Sequence, residues 1–159
     1  MKTSQSHPGK LNGKSLHIAI ILSRYNDGIG SKLLKNTHET LITHGVKESD
    51  IKIMRVPGAL ELPLAAKLAA KTKNFDAIIA LGVVIKGETP HFEHVCRESL
   101  RGLMDAGLET ETPVIFGVIT ALNEKQARER ADKNKLNKGR EYAEAAIQMA
   151  KLKNIIKEI

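Results

Sequence analysis

The chain has 159 residues, 42% of them hydrophobic, which is enough for one buried core and too few for two comfortable domains. No run approaches the roughly 18 uninterrupted apolar residues of a membrane helix, and the polar start MKTSQSHPGK lacks an apolar signal segment. The single cysteine, Cys96, cannot form an intrachain disulfide, so a cytoplasmic protein with no membrane partner is expected.

A formal charge of +7 suits nucleic acid, an anionic surface or an anionic substrate. The basic residues concentrate late, with Lys125, Arg128, Arg130, Lys133, Lys135, Lys138 and Arg140 set against Glu129 and Asp132, a pattern that also fits a solvated helical face. Aromatic residues make up only 3% of the chain, so stacking platforms for single strands are nearly missing. A phosphate-bearing small molecule fits better, and no nucleic-acid partner is expected.

Residues 1–13 are mostly polar, carry Pro8, Gly9 and Gly13, and read as a flexible tail before one domain over 14–159. LHIAIILS from Leu16 is a short apolar run rich in β-branched residues and predicts a buried strand. Gly28 to His44 places Ile29, Leu33, Leu34, Thr37, Leu41 and Ile42 at helical spacing, with Gly45 where a helix-ending glycine belongs. The second unit is the strand IKIMRV and a helix from Leu62 to Lys71, with Pro63 in the first turn, where its missing N–H costs nothing. AIIALGVVI then reads as a strand covered on both faces, followed by a helix from about His91 to Glu109. PVIFGVIT is the fourth strand, and two helices follow, about Asn123 to Asn134 and Gly139 to Lys157, with a polar joint near Leu136 and Asn137. Alternating strands and helices predict a single-domain three-layer α/β sandwich, with a four-stranded parallel sheet flanked by helices, flavodoxin-like in plan.

In open parallel sheets ligands sit beyond the carboxyl ends of the strands, so the four loops there carry the chemistry. They read Arg24-Tyr25-Asn26-Asp27, Val56-Pro57-Gly58-Ala59-Leu60-Glu61, Lys86-Gly87-Glu88-Thr89-Pro90-His91 and Thr120-Ala121-Leu122-Asn123. Gly87-Glu88-Thr89 runs into a helix start, where backbone N–H groups and the helix dipole favour an anion; Thr89 ahead of Pro90 equally suits a plain cap. His91 is a candidate proton shuttle or an incidental histidine. His91 and His94 lack a third partner at ligand spacing, so no metal is predicted. Glu61 suits a ligand carboxylate or a first-turn helix acid, Tyr25 a stacking platform or a strand plug, and Cys96 a small buried hydrophobe. Gly28-Ile29-Gly30-Ser31-Lys32-Leu33 half-matches a dinucleotide fingerprint, but Leu33 stands where the third glycine would be.

Taken in order, RYND, VPGALELP, GVVIKGETPHFEHV, PVIFGVIT and the later ERA and NKG resemble the successive signature segments of the lumazine synthase family, from about Leu16 onward. GETPHF is the most specific of them. The resemblance implies a transferase that condenses 5-amino-6-ribitylamino-2,4-pyrimidinedione with 3,4-dihydroxy-2-butanone 4-phosphate, without a cofactor. It places Tyr25, where the family usually has phenylalanine, against the pyrimidine ring, with the backbone of Val83, Val84 and Ile85 lining the ring site. Asn26, Ala59 and Glu61 meet the ribityl chain, with Leu60 also at the substrate site, while Gly87, Glu88 and Thr89 hold phosphate with Arg130. His91 moves protons and Lys138 positions the substrates.

The resemblance also implies a homopentamer in which Phe116, Arg130 and Lys138 serve the neighbouring subunit's site and the N-terminal segment joins a neighbour's sheet. Family members that close into a sixty-subunit shell often carry a glycine-containing joint between the last two helices. Here that joint reads Asp132-Lys133-Asn134-Lys135-Leu136-Asn137, without a glycine, which leaves pentamer and shell both open. An archaeal-type riboflavin synthase and a non-catalytic lumazine- or flavin-binding scaffold are the alternatives; the GETPHF and NKG segments favour the synthase over the first, and the presence of His91, Arg130 and Lys138 argues against the second.

Overall fold

The computed structural model describes residues 11–159. Strand and helix alternate as β1 (Ile18–Ser23), α1 (Asp27–Thr43), β2 (Ile51–Val56), α2 (Leu62–Lys71), β3 (Ala77–Ile85), α3 (His91–Thr110), β4 (Val114–Ala121), α4 (Glu124–Ala131) and α5 (Lys138–Lys157). The four strands are all parallel in the order β2-β1-β3-β4, with Ile18 beside both Ile51 and Ala77, and Ile78 beside Val114. This is the predicted three-layer sandwich.

The period-2 geometry of a strand divides β1 between two cores. Ile18, Ile20 and Leu22 join Leu33 and Leu41 of α1, Ala127 of α4 and Ile147 of α5 on one face. Ala19 and Ile21 join Leu62 and Ala66 of α2 and Val95 and Leu103 of α3 on the other. Both faces of β1 are therefore dry, which is why its sequence is an unbroken apolar run rather than an alternating one. Each fully buried aliphatic side chain contributes roughly 1.5–3 kcal/mol relative to exposure. At the sheet's edge, Lys52 to Arg55 of β2 are exposed, and the sequence there is correspondingly mixed.

Helix α5 lies against α1 through small residues. Gly139 is the tightest point, because an added Cβ would stand 2.8 Å from the Leu33 carbonyl oxygen and 2.9 Å from the Thr37 nitrogen. Both of those atoms are backbone, so no side-chain rotation relieves the clash. Nearby, buried Asn36 donates from Nδ2 to the Ala131 carbonyl at 2.7 Å and ties the end of α4 to α1.

One helix end differs clearly from the sequence reading. The helix predicted to reach Asn134 stops at Ala131, because Asp132 turns extended and its carboxylate accepts from the Asn134 N–H at 2.8 Å, competing with helical bonding. Asn137 sits in the left-handed region at φ 43° and its side chain accepts from the Arg140 N–H, so an asparagine supplies the bend that starts α5. Residues 1–10 of the predicted tail lie outside the described residues, while Leu11 packs on the core and the Gly13 N–H donates to the His44 carbonyl at 2.7 Å. Cys96 is half-buried rather than fully enclosed, and desolvation with the nearby Glu93 charge pushes its thiol pKa up. Among the described residues no helix is long and apolar enough to cross a membrane.

Candidate active site

The chain leaves β1 for β2 on one side and β3 for β4 on the other, so the strand order reverses between β1 and β3. Open parallel sheets bind ligands outside the carboxyl ends of strands at such a point. A cleft of about 570 Å³ lies there, walled by the ends of β1 and β3, the loop after β2 and the first turns of α3. Its size is that of a small-molecule site.

Nine of the fifteen residues singled out from sequence line this cleft: Tyr25, Asn26, Ala59, Leu60, Glu61, Val83, Val84, Ile85 and His91. Tyr25 is 72% exposed, leaving its ring face open at the mouth. An added Cβ at Gly58 would stand 3.0 Å from Glu61 Oε2 and 3.4 Å from Tyr25 Cδ2, so the carboxylate and the ring converge over Gly58. A short 3₁₀ turn over Ala59–Glu61 leads into α2 and presents Glu61.

Asn26 takes the left-handed conformation at φ 56°, which asparagine tolerates better than most residues, and donates from Nδ2 to the Val83 carbonyl at 2.9 Å. Its amide nitrogen thus holds the β1–α1 turn on β3, and Oδ1 is the atom a ligand can meet. Arg55 of β2 bonds the Asp27 carboxylate at the same turn and holds its pKa below the usual carboxylate range. The cleft floor is therefore fixed from both neighbouring strands.

Gly87, Glu88 and Thr89 form the exposed turn between β3 and α3, beside the cleft rather than in its lining. The helix begins one residue later than a Pro90 start, and Thr89 Oγ1 accepts from the His91 N–H at 3.4 Å, a long bond that caps weakly. Lys86 pairs with Glu93 at 3.2 Å across this turn.

Phe116, Arg130 and Lys138 lie away from the cleft of their own chain. Phe116 sits on edge strand β4 opposite Ala80, half-buried on the α2/α3 face. Arg130 belongs to α4, across the sheet, where its guanidinium donates to the Gln126 carbonyl at 3.1 Å. Lys138 opens α5 and pairs with Glu141 at 2.6 Å. Ser23, Pro57, Gly58 and Val95 also line the cleft and were not singled out from sequence. The signal for Val95 was available, since it follows His91 by a helical turn, whereas a serine that ends an apolar strand carries none. Among the described residues, no group of three His, Cys, Asp or Glu side chains is placed to hold a metal ion.

A parallel α/β sandwich with a small-molecule cleft at its strand-order switch is the framework of an enzyme or a ligand-binding protein. Sequence comparison gives the particular case: residues 15–154 match the profile of the 6,7-dimethyl-8-ribityllumazine synthase family. The chain belongs to that family, whose members are transferases of riboflavin biosynthesis.

Proposed function

We propose that the protein condenses 5-amino-6-ribitylamino-2,4-pyrimidinedione with 3,4-dihydroxy-2-butanone 4-phosphate to give 6,7-dimethyl-8-ribityllumazine. The observation that carries this reading is the convergence of Tyr25, Asn26, Glu61, Val83–Ile85 and His91, from the carboxyl ends of β1, β2 and β3 and the segments that follow them, on one cleft. The pyrimidine ring stacks on Tyr25, whose aromatic face is retained and whose hydroxyl finds water. Asn26, Ala59, Leu60 and Glu61 hold the ribityl chain, and the backbone of Val83–Ile85 borders the ring.

The 5-amino nitrogen attacks the ketone and the imine forms with loss of water. Loss of the C3 proton turns the imine into an enamine, which expels phosphate from C4; the resulting enol ketonises to a carbonyl at C3 and a methyl at C4, and attack of the ribityl-bearing nitrogen on that carbonyl closes the ring with loss of a second water. No electrons leave or enter, so the sum needs no redox partner. His91 carries protons at the imine and elimination steps, a contribution of about 10²- to 10⁴-fold in general acid–base catalysis. Both substrates are reactive by themselves, and holding them in an attack geometry supplies effective molarity worth up to roughly 7–11 kcal/mol in ideal cases.

The phosphate lies at the Gly87–Thr89 turn and meets Arg130 and Lys138 of a neighbouring copy, which makes a homopentamer the smallest complete assembly. Supporting this, Leu64 and Leu68 of α2, continued by Leu60 in the 3₁₀ turn before it, and Leu100, Met104 and Leu108 of α3 leave two exposed apolar stripes. The cytoplasm is the expected compartment. Incubating the protein with both substrates and following lumazine fluorescence tests the proposal. Product from the pair, and none when either is omitted, is expected; riboflavin formed from lumazine alone would overturn it.

A further inference from the structure

The cleft floor contains a polar atom that the fold itself does not use. Ser23, the last residue of β1, is 1% exposed, and its Oγ has no hydrogen-bond partner among the described residues. Nearly all buried hydroxyls are paired, because leaving one unpaired costs stability. The surroundings give it no protein partner: an added Cβ at Gly82, on neighbouring β3, would stand 2.9 Å from Oγ and 3.5 Å from both Leu62 Cδ1 and Val118 Cγ1. The hydroxyl therefore shares its side of the sheet with aliphatic carbon and with a glycine that keeps space open. Ser23 nonetheless lines the same cleft as Tyr25 and Glu61.

We propose that Ser23 is a further substrate-binding residue, whose hydroxyl bonds a hydroxyl of the ribityl chain of the pyrimidine substrate. The assignment rests on the function proposed above. Charge selects between the two substrates. No Lys or Arg lines the cleft, and its carboxylate is Glu61, so an anion pressed on the floor would be desolvated without a counter-charge. Position selects within the pyrimidine: Tyr25 is exposed at the mouth and takes the flat ring, so the part that extends inward is the polyol. A serine hydroxyl both donates and accepts, and so does each ribityl hydroxyl, which lets either orientation pair. A staggered turn about χ1 redirects Oγ without moving the strand.

Ser23→Ala in the full chain tests this, with 5-nitro-6-ribitylamino-2,4-pyrimidinedione as an inert probe and its 6-methylamino counterpart as a chainless control. The variant's thermal midpoint without ligand should equal or exceed that of wild type, since an orphaned hydroxyl is removed. Affinity for the ribityl probe should fall about three- to ten-fold, the scale of one neutral hydrogen bond. Affinity for the methylamino control and KM for the butanone phosphate should stay unchanged. Ser23→Cys, of similar size and poor hydrogen-bonding power, should reproduce the pattern. Unchanged binding of the ribityl probe, or equal weakening of both probes, would overturn the assignment. Wild type that makes no lumazine from the two substrates overturns the functional reading instead, so the two failures are distinct.

Discussion

Replacing His91 with alanine separates chemistry from recognition at this site. His91 opens α3 at the cleft rim and is exposed, and the hydrogen bond recorded for it runs from its backbone N–H to Thr89 Oγ1, which alanine preserves. Truncation there removes little packing and should move the thermal midpoint by less than about 2 °C. Turnover should fall much further. Positioned proton transfer is worth about 10²- to 10⁴-fold, and because the reactants keep their intrinsic reactivity and their proximity, the lower end, about 100-fold in kcat, is expected. On the proposed function the ring and polyol contacts come from Tyr25, Asn26 and Glu61 instead, so an inert 5-nitro pyrimidine probe should bind within about two-fold of wild type. Steady-state lumazine fluorescence gives kcat, and calorimetry with the probe gives Kd. A collapse of probe affinity in step with turnover would show that His91 binds or supports, and that the proton-transfer role is wrong.

Arg130→Ala should raise KM for the butanone phosphate about 10- to 100-fold, the scale of a charge-assisted hydrogen bond, and leave the pyrimidine KM within about three-fold; equal losses would point to a role in the interface as a whole. Gly139→Ala should lower the thermal midpoint by about 2–4 °C, since overpacking of about 2 kcal/mol against the α1 backbone exceeds by about 1 kcal/mol the roughly 1 kcal/mol that alanine gains in a helix; an unchanged midpoint would mean that α5 shifts freely. Burial pushes the Tyr142 hydroxyl up to about 12, so in Tyr25→Phe, where it is the remaining tyrosine, the ultraviolet ionisation midpoint should lie nearer 12 than 10. The sign is a loss of stability as pH rises from about 10 to 12, where the unfolded chain has released a proton that the folded one keeps, and Tyr142→Phe should abolish it. Sedimentation at low and high salt should give a pentamer or larger in both; an active monomer would refute the shared site, and a shell under both conditions would show that the joint works without glycine.

The strands were legible because burial on both faces of β1 and β3 forces unbroken apolar runs, and the helices because one face of each meets the sheet. The end of α4 was not, because Asp132 decides it by a local side-chain bond that competes with a sequence otherwise suited to helix. Within the cleft, Tyr25, Asn26, Glu61 and His91 stood out because polar and aromatic groups in loops beyond parallel strands have few other reasons to cluster. Ser23 did not, since a serine closing an apolar strand looks like any strand end until its hydroxyl is seen to lack a partner. Gly139 was visible only as part of a motif, and the approach of two backbones that requires it is a property of the packed helices.

The charge distribution sharpens the case for a site shared between subunits. Binding a dianionic phosphate in a partly dry cleft requires cations, because desolvating an unpaired anion costs more than backbone donors alone return. Of the residues that line the cleft, Glu61 is negative and His91 is the only group able to become positive, so one chain offers a neutral polyol and ring a good surface and offers phosphate little beyond the N–H groups of the Gly87–Thr89 turn. The basic cluster that carries most of this protein's net positive charge sits instead on α4, α5 and their joint, across the sheet, where among the described residues Arg130 donates to its own Gln126 carbonyl and Lys138 pairs with its own Glu141. The Lys138–Glu141 pair is a surface ion pair of the kind worth little, and the partly buried Arg130 bond uses one of five guanidinium donors, so both leave donor capacity for a phosphate. Turning a second copy so that its basic edge faces the first copy's cleft brings the missing charge to the anion without placing a cation permanently beside Glu61. On this proposal a single chain would hold the pyrimidine half of the reaction, and assembly would supply the phosphate half.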